Sequence, residues 1–150
     1  MLFDVQGQLN SMNLAESKAL WPLFEAVVNS IQAIEESPNK DSGKITILAE
    51  REPSTQEQLS QGQKRILEKF ESVTITDNGT GINKANYESF QTAYSTLKIK
   101  KGCKGIGRFL WLKAFNAVEI HSVFYENGQY MKRDFSFTAE KGISPEQDNV

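Results

Sequence analysis

The run Val73-Thr74-Ile75-Thr76-Asp77-Asn78-Gly79-Thr80-Gly81-Ile82 decides how the rest of the chain is read. Val73 and Ile75 alternate with Thr74 and Thr76, which is the period of a half-buried strand. The alternation stops at Asp77. Gly79 and Gly81 follow, then Asn83, with Ala85, Tyr87 and Phe90 at helical spacing. Asn-Gly after an alternating run is also a hairpin signal. A hairpin needs a second alternating strand directly after the turn, whereas these residues predict a helix capped by Asn83. A carboxylate therefore stands at the C-terminal edge of a strand. Beside it is backbone that folds tightly and lets a ligand come close.

Upstream, Asn13 with Glu16 three residues on has the form of a capping box and predicts a helix running to Glu36. Leu20, Leu23, Phe24, Val27, Val28, Ile31 and Ile34 recur every three or four residues, an apolar stripe expected to face a core. Pro22 lies within it, so the helix either kinks there or restarts with Pro22 in its first turn. At about 100° per residue, Glu25, Asn29, Gln32 and Glu36 share the face away from the stripe. The ordinary reading of such a face is solvated surface. The functional one is a carboxylate and a carboxamide on adjacent turns. Glu25 would orient and deprotonate a water, and Asn29 would give an oxygen to a magnesium ion.

Between these two segments, residues 37–43 form a turn-rich break and Lys44 to Glu50 reads as a strand. Residues 51–65 are polar and read as a surface insertion.

Downstream, residues 95–108 read Ser-Thr-Leu-Lys-Ile-Lys-Lys-Gly-Cys-Lys-Gly-Ile-Gly-Arg, followed by the apolar run Phe109 to Phe115, expected to be a largely buried helix. Gly102, Gly105 and Gly107 thus precede a helix N-terminus, where free N–H groups and the helix dipole favour an anion. Lys98, Lys100, Lys101 and Lys104 add positive charge. No Gly-Lys-Ser/Thr closes the run, so it is not a Walker P-loop. No strand enters the glycines directly, so it is not a dinucleotide fingerprint. A flexible loop, or a lysine patch for nucleic-acid phosphates, are the competing readings.

The 150 residues carry a net charge of -2 and an apolar fraction of 39%, ordinary for one globular domain. The bulk charge does not point to nucleic acid. Cys103 is the single cysteine, so an internal disulfide is excluded. No apolar run approaches 18 residues and no signal peptide is recognised, so no membrane partner is expected and a cytoplasmic location is.

Taken together and in order, the motifs resemble those of the GHKL ATPases (gyrase, the heat-shock chaperone, histidine kinases, mismatch-repair MutL), which share the Bergerat fold. Glu25-Ala-Val-Val-Asn29-Ser-Ile-Gln-Ala33 is similar to the family's helix with a Glu and a magnesium-binding Asn. Asp77-Asn-Gly79-Thr-Gly81 is similar to its adenine-binding motif. Gly105-Ile106-Gly107-Arg108, with Ser95, Thr96 and Lys98 before it, is similar to its phosphate-binding lid.

The resemblance implies an α+β fold, a two-layer sandwich of a mixed, mostly antiparallel sheet with helices on one face. It implies ATP and Mg²⁺ as ligands. Asp77 would accept from the adenine amino group, with Gly79, Gly81 and Ile82 beside it. Asn29 would ligate the metal, and the backbone from Gly105 to Phe109 would hold the phosphates. Glu25 would be the general base. Histidine kinases of this type usually lack that Glu, so the resemblance implies the hydrolysing branch, closer to the chaperone and MutL. Gln32 stands where many relatives have an acidic residue. The alternatives are a nucleotide-sensing switch that does not hydrolyse, or a nucleic-acid module using the 98–104 lysines.

Ala117 to Tyr125 and Gln129 to Phe137 read as two strands joined at Glu126-Asn127-Gly128. His121, the lone histidine, is expected to be structural. Residues 138–150 are expected to be irregular. The chain is expected to be the N-terminal part of a longer protein. It would dimerise with a second copy when whole, with nucleic acid or a client protein reached through further domains.

Overall fold

A computed structural model describes residues 19–52, 70–93, 107–144 and 147–149. The sequence elements appear in order: α1 (Trp21–Glu35), a 3₁₀ turn (Lys40–Ser42), β1 (Ile45–Arg51), β2 (Phe70–Asp77), α2 (Lys84–Ala93), α3 (Gly107–Ala114), β3 (Ala117–Glu126), β4 (Gln129–Thr138), β5 (Gly142–Ile143) and β6 (Gln147–Asn149). The described residues form an α+β arrangement with two small sheets. Every strand pairing among the described residues is antiparallel. The capping box at Asn13 and most of the 51–65 insertion lie outside the described residues.

β2 ends at Asp77 because the glycine loop begins there. It pairs with β1 from Ile45↔Asp77 to Arg51↔Phe70. The β3–β4 hairpin closes through Asn127 (φ 52°) and Gly128 (φ 84°). Two positive φ values in a two-residue loop match the twist of the flanking strands. Along the hairpin, Ser122 and Phe124 of β3 and Arg133, Phe135 and Phe137 of β4 are buried, while the alternate residues face outward. Over this inner face lies the core. Tyr87 and Phe90 of α2 meet Phe135 edge-on at ring separations of 5.0 and 5.2 Å, and Phe90 meets Phe137 at 5.5 Å. Trp111 and Leu112 of α3 pack beside them, half-buried rather than wholly so. Such ring pairs add about 0.5–1.5 kcal/mol beyond their area burial.

The end of the chain and the orientation of α1 also differ from expectation. The tail after Thr138 carries two short strands, β5 and β6, both on the outer edge of β4. They show no apolar alternation because edge pairing is a backbone interaction. Ser144 supports it, its N–H donating to Ser136 O at 2.7 Å and its hydroxyl accepting from Ser136 N at 2.8 Å.

The second correction concerns α1. Pro22 does sit in its first turn, but the apolar stripe does not face a core as a whole, only Leu23, Val27 and Ile34 being half-buried. Leu20 (54%), Phe24 (56%), Val28 (46%) and Ile31 (43%) are exposed, whereas Pro22 and Ser30 are buried. At about 100° per residue the buried face is rolled roughly a third of a turn from the stripe. The cause is close approach. A Cβ built on Gly79 would sit 2.5 Å from the backbone carbon of Ala33, so only a face of small residues (Ala26, Ser30, Ala33) lets the helix reach the glycine loop.

Candidate functional site

The site is the loop from Asp77 to Ile82 and what holds it. Asp77 is exposed at the end of β2. Its Oδ2 accepts from the Ser30 hydroxyl at 2.7 Å, and its Oδ1 accepts from Gly79 N–H at 2.9 Å. A carboxylate has roughly four acceptor positions, so an oriented Asp77 retains capacity for a ligand donor. Asn78 turns the other way. Its Oδ1 accepts from Lys44 N at 2.7 Å and its Nδ2 donates to Ser42 O at 3.0 Å. The Asn of Asn-Gly therefore pins the loop to the turn before β1, and the Asp is left for chemistry.

The loop then docks on α1. Thr80 N–H donates to Ala33 O at 3.0 Å, beside the contact of Gly79 with Ala33. Glu25, Asn29 and Ala33 are spaced by four and share one face of the helix. The α1 residues that meet the loop are Ser30 and Ala33; at about 100° per residue Asn29 flanks them and Glu25 lies further round, both half-buried. The helix and strand motifs, about fifty residues apart in sequence, are brought together. Thr80 Oγ1 is buried without a hydrogen-bond partner, a state shared among the described residues by Trp111 Nε1.

The second half of the loop meets the hairpin. Gly81 has φ +72°, and a Cβ there would run into the Val123 carbonyl oxygen and sit 2.9 Å from Ser122 Oγ. Glycine is required here on both counts. Ile82 N–H donates to Ser122 Oγ at 2.7 Å, and Ile82 O accepts from Arg133 Nη1 at 2.8 Å. Asn83 caps α2 as its residue type predicts, its Oδ1 accepting from Asn86 N at 2.9 Å.

Of the remaining candidates, Ser95, Thr96, Lys98, Lys100, Lys101, Lys104, Gly105 and Ile106 lie outside the described residues. Gly107, Arg108 and Phe109 form the first turn of α3, which lies against α1. His121 is exposed on β3, its Nδ1 2.9 Å from Asp134 Oδ1. The Asp134 carboxyl is held below the usual carboxylate range, first by its hydrogen bond with Lys132 and then by that with His121. Ser122 and Arg133 are site residues that the motif reading missed, and Ser30 and Ala33 lie within the helix motif without having been given a role. Arg133 did leave a signal, being a charge at an inward position of an alternating strand.

Among the described residues no group of three or more His, Cys, Asp or Glu could hold a metal ion, and no helix is long and apolar enough to cross a membrane. Comparisons with protein-family models, with curated proteins and with solved structures give no match.

Proposed function

We propose that this chain is the ATP-binding domain of a magnesium-dependent ATPase of the GHKL kind. The observation that carries the reading is the docking of the Asp77–Gly81 loop on α1 at Ser30 and Ala33, which brings the loop beside Asn29 and onto the helix that carries Glu25. Asp77 is exposed, pre-oriented by two donors and able to accept from an amino group, which suits an adenine edge. Asn29 supplies one hard oxygen. That fits magnesium, which takes few protein ligands and completes its shell with phosphate oxygens and water. When bound, the ion neutralises charge on the phosphates.

Glu25 acts on water. It orients the attacking oxygen and takes its proton as the bond to the γ-phosphorus forms. The bond from that phosphorus to the β,γ-bridging oxygen breaks, releasing ADP and phosphate. A half-buried position on α1 suits this role, because partial exclusion of water strengthens the local electrostatics. Glu25→Ala is expected to keep ATP binding while turnover falls roughly 10²- to 10⁴-fold, the scale of a lost base. Equal turnover in the two proteins would leave Glu25 without that role. ATP binding with no turnover in either would favour the non-hydrolysing switch.

A further inference from the structure

Ile82 is held in an unusual way for a loop residue. Both of its backbone polar groups are taken by side chains of a different unit, the β3–β4 hairpin: the N–H by Ser122 Oγ at 2.7 Å and the C=O by Arg133 Nη1 at 2.8 Å. Ser122 is 8% and Arg133 3% exposed. Burying a guanidinium is costly unless it is well satisfied, and its inward register position is one that an apolar residue would fill at no such cost. The Arg133 guanidinium carbon lies 4.8 Å from the Tyr87 ring centre and 4.7 Å from that of Phe124, within cation–π range. One side chain thus joins the loop, the start of α2 and β3. Gly81, tight against Val123 O and Ser122 Oγ, leaves the loop no room to settle elsewhere on this side.

We propose that Ser122 and Arg133 are positioning residues for the nucleotide: they fix the Gly81–Ile82 backbone at the height where Asp77 and the loop meet the base. The proposal rests on the ATP-binding reading above. It divides the support of the loop into two parts, α1 setting the Asp77 end and the hairpin setting the Ile82 end. A purely structural role for the same side chains predicts something different. Thermal stability would fall in their variants while the folded protein kept its affinity.

The test is calorimetric titration of ADP and ATP into the wild type, Ser122→Ala, Arg133→Met and Arg133→Lys, at a temperature where melting curves show each protein folded. Loss of one positioning hydrogen bond is expected to weaken both nucleotides about tenfold, the scale of one such bond. The two factors should be equal, because ADP and ATP differ only at the γ-phosphate. Arg133→Lys keeps a donor and should recover part of the loss seen in Arg133→Met. Wild-type affinity in folded Ser122→Ala, or a loss confined to ATP, would overturn the positioning role while leaving the nucleotide site standing. A wild type that binds neither nucleotide would overturn the site reading, and this proposal with it. Should Arg133→Met fail to fold, Ser122→Ala decides alone, since it removes a single hydroxyl.

Discussion

The Ser30 hydroxyl donates to Asp77 Oδ2 at 2.7 Å across 47 residues of sequence. It ties the helix of Glu25 and Asn29 to the strand end that carries the candidate base acceptor. Ser30 is buried and immediately follows Asn29, so one short side chain sets the distance between two motifs. Removing it leaves Asp77 with the Gly79 N–H alone among these two donors. Ser30→Ala is therefore expected to weaken ATP binding about tenfold, on the scale of a hydrogen bond to a charged group. Titration of the variant measures this. Unchanged affinity would show that Gly79 suffices to orient the carboxylate.

Gly81 and Gly128 share a positive φ and differ in their surroundings. Nothing lies within 4 Å of a Cβ built on Gly128, whereas one on Gly81 meets Val123 O and Ser122 Oγ. Gly128→Ala is expected to cost about 1 kcal/mol from conformation alone. Gly81→Ala should cost about 1–3 kcal/mol more because the loop must also shift. Denaturant midpoints of the two variants give the comparison. Equal losses would mean that the loop yields freely against β3.

The roll of α1 has its own consequence. Phe24 is 56% exposed, and Phe137 is 1% exposed in the aromatic core. Phe24→Lys should change stability by no more than about 1 kcal/mol, as surface substitutions do. Phe137→Ala should cost about 3–5 kcal/mol. A large loss at Phe24 would return the helix to the orientation that its apolar stripe suggests.

These contrasts show what the sequence carried. The end of β2 at Asp77 and the hairpin at Asn127-Gly128 were legible because alternation and turn chemistry are local. The existence of α1 was legible too, with Pro22 in its first turn. Its orientation was not. The largest apolar side chains made the clearest stripe, but the helix turns its smallest residues inward to admit Gly79, a partner over forty residues away. The roles of Ser30 and Ser122 are similarly invisible in sequence, since a serine looks alike in a cap, on a surface or beneath a carboxylate. Arg133 was readable in principle, because a charge between Met131 and Phe135 breaks an inward apolar series.

Adenine recognition in the proposed site rests on Asp77. Its two oxygens both face donors, Ser30 Oγ–H and Gly79 N–H. An asparagine there could keep its Oδ1 on the Gly79 N–H and donate its NH₂ to Ser30 Oγ, but it would present a mixed amide where the adenine amino group needs a carboxylate acceptor. Calorimetric titration of ATP into the wild type and Asp77→Asn, with and without Mg²⁺, is the measurement to make. Saturable, magnesium-strengthened binding by the wild type that disappears in Asp77→Asn is the predicted result. Equal ATP affinity in the two proteins would contradict the assignment of Asp77 as the adenine acceptor.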